Sequence, residues 1–115
     1  MQPTNQKVSN SDLKPCDDQC PIKLCATLIE KKWTTLIIRE LARGEKRYFE
    51  IEAALYSISA KVLSERLRHL ESLGVIDRQV FNTIPPSTCY SLSALGFDFL
   101  PVLSAMAQFG EKLKN

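Results

Sequence analysis

The sequence predicts a mainly α-helical domain that carries one small β-hairpin in its second half. The first observation is the helical spacing of apolar side chains, clearest at Leu63, Leu67 and Leu70, which lie at positions i, i+4 and i+7. The second is a change to an alternating pattern shortly after these leucines. The third is a double proline at positions 85 and 86, which cannot stay in a strand ladder and separates two runs of strand-forming residues.

The composition is that of one globular domain. The chain has 115 residues, of which 44% are hydrophobic and 24% are charged. The formal net charge is only +2, so any binding of nucleic acid must depend on where the cations lie. No apolar run approaches the roughly 18 residues of a membrane span, and the first ten residues lack the apolar segment of a secretory signal. We therefore expect a cytoplasmic protein without a membrane partner.

Two helices are predicted in the first third of the chain, after a polar N-terminal segment. Residues 1–19 are polar and contain two prolines, so we expect them to form a flexible arm. The first helix is predicted to begin at Pro21, because proline suits the first position of a helix. A second helix follows over residues 33–41, and Gly44 is its expected C-cap.

A third and a fourth helix are joined by a short turn. The third is predicted over residues 49–55 and the turn over residues 56–58. Ser59 is a suitable N-cap for the fourth helix, and Gly74 closes it. The fourth helix is the most clearly amphipathic segment of the chain. Such a pair predicts a helix-turn-helix, whose second helix needs one face for packing and one for the major groove of DNA.

The second half of the chain is predicted to contain the hairpin and a final helix. Residues 75–81 and 88–92 are the expected strands, and residues 82–87 form the loop between them. Ser93 is the expected N-cap of the last helix. Pro101 either kinks this helix or marks the first turn of a separate final helix.

This order of elements is that of a winged helix-turn-helix with extra terminal helices for dimerisation, in which the hairpin is the wing. Residues 20–92 are predicted to form the DNA-binding domain, and residues 93–115 a C-terminal dimerisation helix of the same compact domain. A homodimer is expected because a lone recognition helix reads too few bases for specificity. The last helix also carries more apolar residues than one face needs, and we expect it to pack, with the first helix, against a partner copy: Phe97, Phe99, Leu100, Val102, Leu103, Met106, Phe109 and Leu113.

The outward face of the fourth helix is the principal candidate binding site. With the three leucines inward and about 100° per residue, Lys61, Ser64, Glu65 and Arg68 point outward. Lys61 and Arg68 can bind phosphate or guanine, and Ser64 can donate to either. Glu65 accepts from a cytosine amino group or orients Arg68. Ser59, at the N-terminal end of the helix, completes the set.

Three further residues are secondary candidates for contacts to the DNA backbone. Arg47 stands at the entry to the third helix, while Arg78 and Ser87 belong to the wing. Their side-chain directions depend on strand register, which the sequence leaves open. An ordinary charged and solvated helix surface would show much the same pattern as the fourth helix.

Several stretches of the chain match a known family. They are residues 33–41 (WTTLIIREL), 46–51 (KRYFEI) and 58–71 (ISAKVLSERLRHLE), followed by Pro85-Pro86, Tyr90-Ser91-Leu92 and Gly96. These stretches resemble the second helix, the segment entering the third helix, the recognition helix, and the wing with the start of the final helix in the HxlR family of bacterial regulators. The similarity covers residues 20–102 without large gaps.

The resemblance implies a dimeric repressor or activator that binds double-stranded operator DNA. Members of the family often respond to oxidants, quinones or aldehydes, and many have a cysteine followed by proline before the first helix, here Cys20. Three departures stand out. Residues 30–32 read Glu-Lys-Lys where the family commonly has Gly-Gly-Lys. Ser87 replaces a frequent basic residue after the double proline, which weakens the case for a phosphate contact there, and Cys89 replaces a frequent acidic residue.

Four cysteines require an explanation in a reducing compartment, where structural disulfides are rare. Cys20 precedes a helix N-terminus, where the helix dipole favours a thiolate, and we expect it to be the redox-sensing residue rather than a surface thiol without a role. Cys16 in the arm is a candidate resolving thiol. Cys25 is interpreted as a core hydrophobe and Cys89 as a half-buried strand residue.

Other classes of function fit the sequence less well. It has no Gly-rich phosphate loop, no nucleophile elbow and no C-x-x-C pair, so we expect no enzyme and no cofactor. The spacing Cys16-x3-Cys20-x4-Cys25 lacks the close pair of zinc sites, so no metal ligand is expected. Two alternatives stay open: a winged-helix protein-interaction module without DNA binding, and a metal-responsive regulator that uses the cysteines.

Overall fold

The computed structural model describes residue 17 and residues 19–114. The chain divides after Lys31 into two compact units, and the first contains helix α1 (Pro21–Ile29). The elements of the second unit are α2 (Lys32–Leu41), β1 (Lys46–Arg47), α3 (Tyr48–Ala54), α4 (Ala60–Ser72), β2 (Ile76–Phe81), β3 (Ser87–Leu92), α5 (Ala94–Asp98) and α6 (Leu100–Lys112). The predicted class is confirmed: the protein is mainly helical with one small sheet. Cys16 and most of the predicted arm lie outside the described residues.

The helix-turn-helix pair is α3 and α4, and both its ends are set by local hydrogen bonds. The backbone N–H of Arg47 donates to Glu50 Oε1 at 2.8 Å, so α3 begins at Tyr48, one residue earlier than predicted. Ser59 Oγ accepts from the N–H of Val62 at 3.1 Å and caps α4 as expected. Gly74 ends α4 with a φ of 78°, a conformation that favours glycine.

The core of the second unit is built on the inward face of α4. Leu63, Leu67 and Leu70 are at most 1% exposed, and α4 packs against α2 and β2. From α2, Ile37 and Ile38 are completely buried. Burying an aliphatic side chain of this size stabilises a fold by about 1.5–3 kcal/mol. The leucine stripe therefore determines which face of α4 remains available to a partner.

The sheet has three antiparallel strands in the order β1-β3-β2, not two as predicted. The predicted hairpin is present, with Ile76 opposite Leu92 and Phe81 opposite Ser87. The added strand β1 pairs Lys46 with Tyr90. A strand of two residues is too short to show an alternating pattern, so periodicity could not predict it.

Two short helices complete the second unit. Ser93 Oγ accepts from the N–H of Gly96 at 3.1 Å, which confirms Ser93 as an N-cap. The second alternative for Pro101 is correct, because it lies in the first turn of the separate helix α6. None of the side chains in α6, a helix that lies wholly within the described part, is fully buried. Over residue 17 and residues 19–114, no helix has the length and apolar character required to span a membrane.

Candidate nucleic-acid interface

The outward face of α4 has the orientation that its periodicity predicts. Lys61, Glu65 and Arg68 are exposed, whereas Ser64 is half-buried. We call these four residues the recognition face. Ser59 is exposed at the N-terminal end of the same helix, but its side-chain oxygen is already engaged as the cap. The helix therefore presents two cations, one carboxylate and one partly covered hydroxyl.

Tyr48 is a member of this site that the sequence reasoning missed. Its hydroxyl donates to the carbonyl of Ala60 at 3.3 Å and lies 3.2 Å from Ser64 Oγ. These contacts tie the first residue of α3 to the first two turns of α4. The signal in the sequence was an aromatic residue with a polar end at the entry to α3, where an aliphatic residue would serve packing alone. The contact with Tyr48 therefore restricts the orientation of the Ser64 hydroxyl.

The expected pairing of Glu65 with Arg68 is not what the structure has. Glu65 Oε1 lies 3.8 Å from Arg66 Nη1, so its ion-pair partner is the next residue along the helix. Adjacent residues point about 100° apart on a helix, so this 3.8 Å contact lies near the long limit for an ion pair. Arg68 is directed instead toward the wing.

A polar recess of about 280 Å³ lies between α4 and the sheet, lined by Ser64, Arg68, Glu71, Arg78 and Tyr90. We call it the helix–wing recess. Arg78 Nε lies 3.3 Å from Glu71 Oε1, so Glu71 offsets part of its charge. Burial raises the pKa of Tyr90, while the cation of Arg78 opposes the shift. The recess brings together Ser64, Arg68 and Arg78, a grouping that requires the strand register.

The base of the wing is held by Arg47, the first secondary candidate. Its Nη1 donates to Ser87 Oγ at 2.6 Å, and its guanidinium carbon lies 5.3 Å from the centroid of the Phe81 ring. Arg47 and Ser87 are thus brought together, and they contact each other. An exposed guanidinium with five N–H groups retains donors for another partner.

Cys89 is more deeply buried than predicted, at 6% exposure. It lies in the central strand β3, opposite Gln79 of β2 and Arg47 of β1. A cavity of about 390 Å³ beside it is lined also by Glu45, Asp77 and Ser91. Burial raises the pKa of the Cys89 thiol, and the nearby carboxylate of Glu45 raises it further. The thiol is therefore held in its protonated, less reactive form.

The cysteines of the first unit lie at the start of α1 and on one of its faces. Cys20 is the N-cap residue and is half-buried. Cys25 is also half-buried, and with Pro21, Ile22, Ala26 and Ile29 it lines an open apolar groove of about 300 Å³. Its assignment to the core was wrong, because the stripe that it shares with Ile22 is open to solvent: Ile22 is 58% exposed.

The thiols Cys20, Cys25 and Cys89 are unpaired with one another. A search of residue 17 and residues 19–114 finds no group of three or more His, Cys, Asp or Glu side chains arranged to hold a metal ion. Cys16, the expected resolving thiol, lies outside these residues. The structure thus gives the geometry of three of the four thiols and leaves the Cys16–Cys20 pairing as a prediction.

Sequence comparisons identify helix-turn-helix regulators as relatives. The family model described as HxlR-like helix-turn-helix matches residues 28–115. The uncharacterized HTH-type transcriptional regulator sll1512 of Synechocystis sp. is 40% identical over 106 residues, covering 90% of this chain and 78% of the relative. The HTH-type transcriptional regulator YodB of Bacillus subtilis is 34% identical over 94 residues, covering 81% of this chain and 84% of YodB.

Solved structures agree with this grouping. A candidate transcriptional regulator of the MarR family from Porphyromonas gingivalis W83 superposes with a TM-score of 0.80 at 36% identity, covering 85% of this chain and 96% of the other. The redox regulator HypR in its oxidized form superposes with a TM-score of 0.76 at 30% identity, covering 84% of this chain and 99% of HypR. Diamide-treated YodB from B. subtilis superposes with a TM-score of 0.70 at 32% identity, covering 86% of this chain and 99% of YodB. These relatives are transcriptional regulators and not enzymes, as the sequence predicted.

Proposed function

The chain belongs to the HxlR-like helix-turn-helix family, and from this premise we propose that it is a homodimeric regulator that binds operator DNA and responds to redox or electrophile signals through cysteine. The observation that carries the DNA-binding part is the helix–wing recess. It joins Ser64 and Arg68 of the recognition face to Arg78 of the wing in one continuous polar surface. Such a surface meets a duplex along both a groove and its flanking backbone.

In this proposal α4 enters the major groove. Arg68 reads guanine or binds phosphate, Lys61 binds phosphate near the N-terminal end of the helix, and Ser64 contacts a base edge. Glu65 accepts from a cytosine amino group, and Ser59, exposed at the helix start, adds a further contact. Arg78 supplies a backbone contact from the far wall of the recess. Arg47 does the same from the base of the wing, with Ser87 holding it in place.

The dimer is proposed to form through α6. Four apolar side chains of the C-terminal segment are exposed and recur with helical spacing: Val102, Met106, Phe109 and Leu113, at 38%, 36%, 61% and 70% exposure. An apolar stripe of this kind on a helix that buries none of its own side chains favours a second copy as its partner. The open apolar groove of α1 is proposed as a second apolar surface that contacts a partner copy.

Cys20 is proposed to carry the signal. It is half-buried directly before α1, where a helix N-terminus favours an anion. Oxidation joins two thiols in a disulfide and removes two protons and two electrons, which an oxidant such as diamide takes up as it is reduced to the hydrazine. Cys16 is the proposed second thiol. A disulfide or adduct next to the subunit interface would alter the separation of the two recognition helices, and DNA half-sites tolerate only about 34–36 Å.

Binding to the DNA that flanks the protein's own gene tests the regulatory function. Fluorescence anisotropy between about 50 and 200 mM salt should show binding that weakens steeply with salt, as phosphate contacts require. Light scattering at micromolar concentration should give the mass of two chains. Absence of binding at low salt would favour the protein-interaction module, and a monomer mass would contradict the dimer.

Titration with diamide tests the role of Cys20. Wild type should lose or gain operator affinity on treatment and regain its starting affinity with a thiol reductant. Cys20→Ser should not respond, whereas the matched variant Cys89→Ser should respond as wild type does. A Cys20→Ser protein that responds normally would move the sensor to another thiol. Bound zinc measured by atomic absorption would favour the metal-responsive alternative.

A further inference from the structure

A cleft of about 450 Å³ lies between the start of α3 and the junction of the hairpin loop with β3. We call it the α3–wing cleft. Four side-chain rings, one cation and two hydroxyls line it: Tyr48, Phe49, Pro85 and Pro86, then Arg47, then Ser87 and Thr88. Sites for small molecules are of this size and have mostly apolar walls with a few polar groups that fix orientation. The cleft therefore has the composition of a small-molecule site.

The apolar wall of the cleft includes an aromatic ring that the core does not cover. Phe49 is 63% exposed, and Pro85 and Pro86 line the same cleft from the hairpin. The hydroxyl of Tyr48 contacts Ser64, which ties Tyr48 to α4. Single exposed apolar side chains are ordinary on protein surfaces, but rings gathered around one cleft offer a continuous surface to a planar ring.

The cation of the cleft is held in place and has no carboxylate partner. Arg47 Nη1 donates to Ser87 Oγ at 2.6 Å, and the guanidinium carbon lies 5.3 Å from the centroid of the Phe81 ring. Glu50 accepts from the backbone N–H of Arg47, at 2.8 Å. Among the described residues, the arginines that form ion pairs are Arg39, Arg66 and Arg78. The Arg47 guanidinium therefore retains N–H donors and a charge for an anion.

The cation and the rings together determine the class of ligand that fits. A guanidinium binds a carboxylate through two parallel N–H···O bonds, and both groups are planar. A phosphate group carries about 1.5 to 2 negative charges, whereas a single cation lines the cleft. Its charged oxygens would also displace water from the rings without hydrogen-bond partners there. The cleft therefore fits one negative charge attached to a flat aromatic ring.

We propose that the α3–wing cleft binds a small planar aromatic carboxylate, with the carboxylate on Arg47 and the ring against Phe49 and Pro86. A ligand in this position occupies the donors of Arg47, so it competes with the DNA backbone for them. This second step rests on the proposed function, in which Arg47 contacts DNA. Because the coupling is reciprocal, DNA weakens the binding of the ligand by the same factor.

Isothermal titration calorimetry of the full-length protein with 2-naphthoate, in the absence of DNA, tests the site. We expect saturable binding, and at least about tenfold weaker binding of 2-naphthamide, which keeps the ring and lacks the charge. Arg47→Gln should raise the Kd for 2-naphthoate about ten- to hundredfold, because the hydrogen bonds to a charged group are lost. Phe49→Ala should raise it about threefold to tenfold through the loss of a ring contact.

Tyr56→Ala is the matched control for Phe49→Ala. Tyr56 is 87% exposed in the turn between α3 and α4 and does not line the cleft, so its removal should leave the Kd for 2-naphthoate unchanged. The urea midpoint of Phe49→Ala should equal that of wild type, because most of the ring contacts solvent. This result would separate a lost ligand contact from a loss of folding.

Four results would overturn the site. Wild type could fail to bind 2-naphthoate at millimolar concentration, or Arg47→Gln and Phe49→Ala could bind it as wild type does. Inorganic phosphate could displace 2-naphthoate at a similar concentration, which would make the cleft a general anion site. Phe49→Ala could show a lower mass than wild type in light scattering, which would mean that a partner copy covers the cleft.

Fluorescence anisotropy tests the competition with DNA and separates it from the function on which it rests. At saturation and at matched ionic strength, 2-naphthoate should raise the Kd of wild type for a duplex by about fivefold or more. Phe49→Ala should bind the duplex as wild type does and need about threefold to tenfold more 2-naphthoate for the same change. An unchanged Kd for DNA, with the ligand bound, would overturn the competition. Wild type that binds no duplex at low salt would remove the proposed function and leave the calorimetric result standing.

Discussion

The recognition face and the end of the hairpin, residues 80–86, which we call the wing tip, present opposite chemistry. The recognition face carries Lys61, Arg68 and Glu65 on a helix, while the wing tip carries Ile84 and Val80 in a segment that contains no charged residue. Charged contacts to DNA weaken as salt rises, and apolar contacts do not. Under the proposed function, we therefore expect the salt-dependent part of the affinity for DNA to come from α4 and not from the wing tip.

The two regions are also held in place by different forces. α4 is fixed by three leucines that are at most 1% exposed, so its position depends on the core of the domain. The wing is fixed by polar and cation–π contacts of Arg47 with Ser87 and Phe81 at the surface. Damage to the support of α4 should therefore unfold the protein, and damage to the wing should change binding alone.

The largest effect is expected for Leu67→Ala. Removing a buried leucine side chain leaves a cavity and should lower the free energy of unfolding by about 2–5 kcal/mol. Urea denaturation followed by circular dichroism measures the change. Ile84→Ala is the matched control from the wing and should stay within about 0.5 kcal/mol of wild type. Equal losses in both variants would show that the wing tip belongs to the core.

Arg68→Ala is expected to have the next largest effect, on binding and not on folding. The loss of an arginine that pairs with guanine should weaken binding by about 1–3 kcal/mol and relax preference at one base pair. Competition among duplexes that differ at single positions would locate that base pair. A uniform loss across all duplexes would reassign Arg68 to phosphate.

Two substitutions of charge compare the regions directly through the salt slope. Lys61→Ala should flatten the slope of log K against log salt by about one unit if the lysine binds phosphate. Asn82→Lys adds a cation to the exposed wing tip and should steepen the slope by about one unit if the new ammonium contacts a phosphate. An unchanged slope in Asn82→Lys would show that the tip lies away from DNA.

The sequence was sufficient for elements whose pattern is long and local. The leucine stripe fixed the outward direction of Lys61 and Arg68, and the cap residues Ser59 and Ser93 marked helix starts, because each signal spans a few neighbouring residues. The helix–wing recess depends on the register of β2 and β3, which places Arg78 opposite Tyr90, twelve positions away. Strand β1 and the Arg47–Ser87 contact, forty residues apart, could not be predicted for the same reason.

The extent of burial of two cysteines differs from what the sequence predicted. Cys25 shares a helical stripe with apolar residues and was expected in the core, yet that stripe is an open groove of α1. Cys89 was expected to be half-buried and is enclosed by the third strand, which the sequence did not reveal. Periodicity shows which residues share a face, but whether anything covers that face depends on partners distant in sequence.

The smallest effect concerns the thiol in the sheet that supports the wing. Burial and Glu45 raise the pKa of Cys89 in the folded state, so on raising the pH the unfolded chain loses this proton first. The contribution of the protonated thiol to the free energy of unfolding is complete below the ordinary thiol pKa of about 8.5. It is lost as the pH rises through the higher pKa of the thiol in the folded protein.

Urea midpoints measured with reductant between pH 8 and 9.5 should therefore fall more steeply for wild type than for Cys89→Ala. Burial also raises the pKa of Tyr90, with the same sign, but the ordinary pKa of tyrosine is about 1.5 units higher than that of a thiol, and this titration is common to both proteins. Parallel curves for the two proteins would contradict the burial of the Cys89 thiol in the folded protein, which is the main cause of its raised pKa.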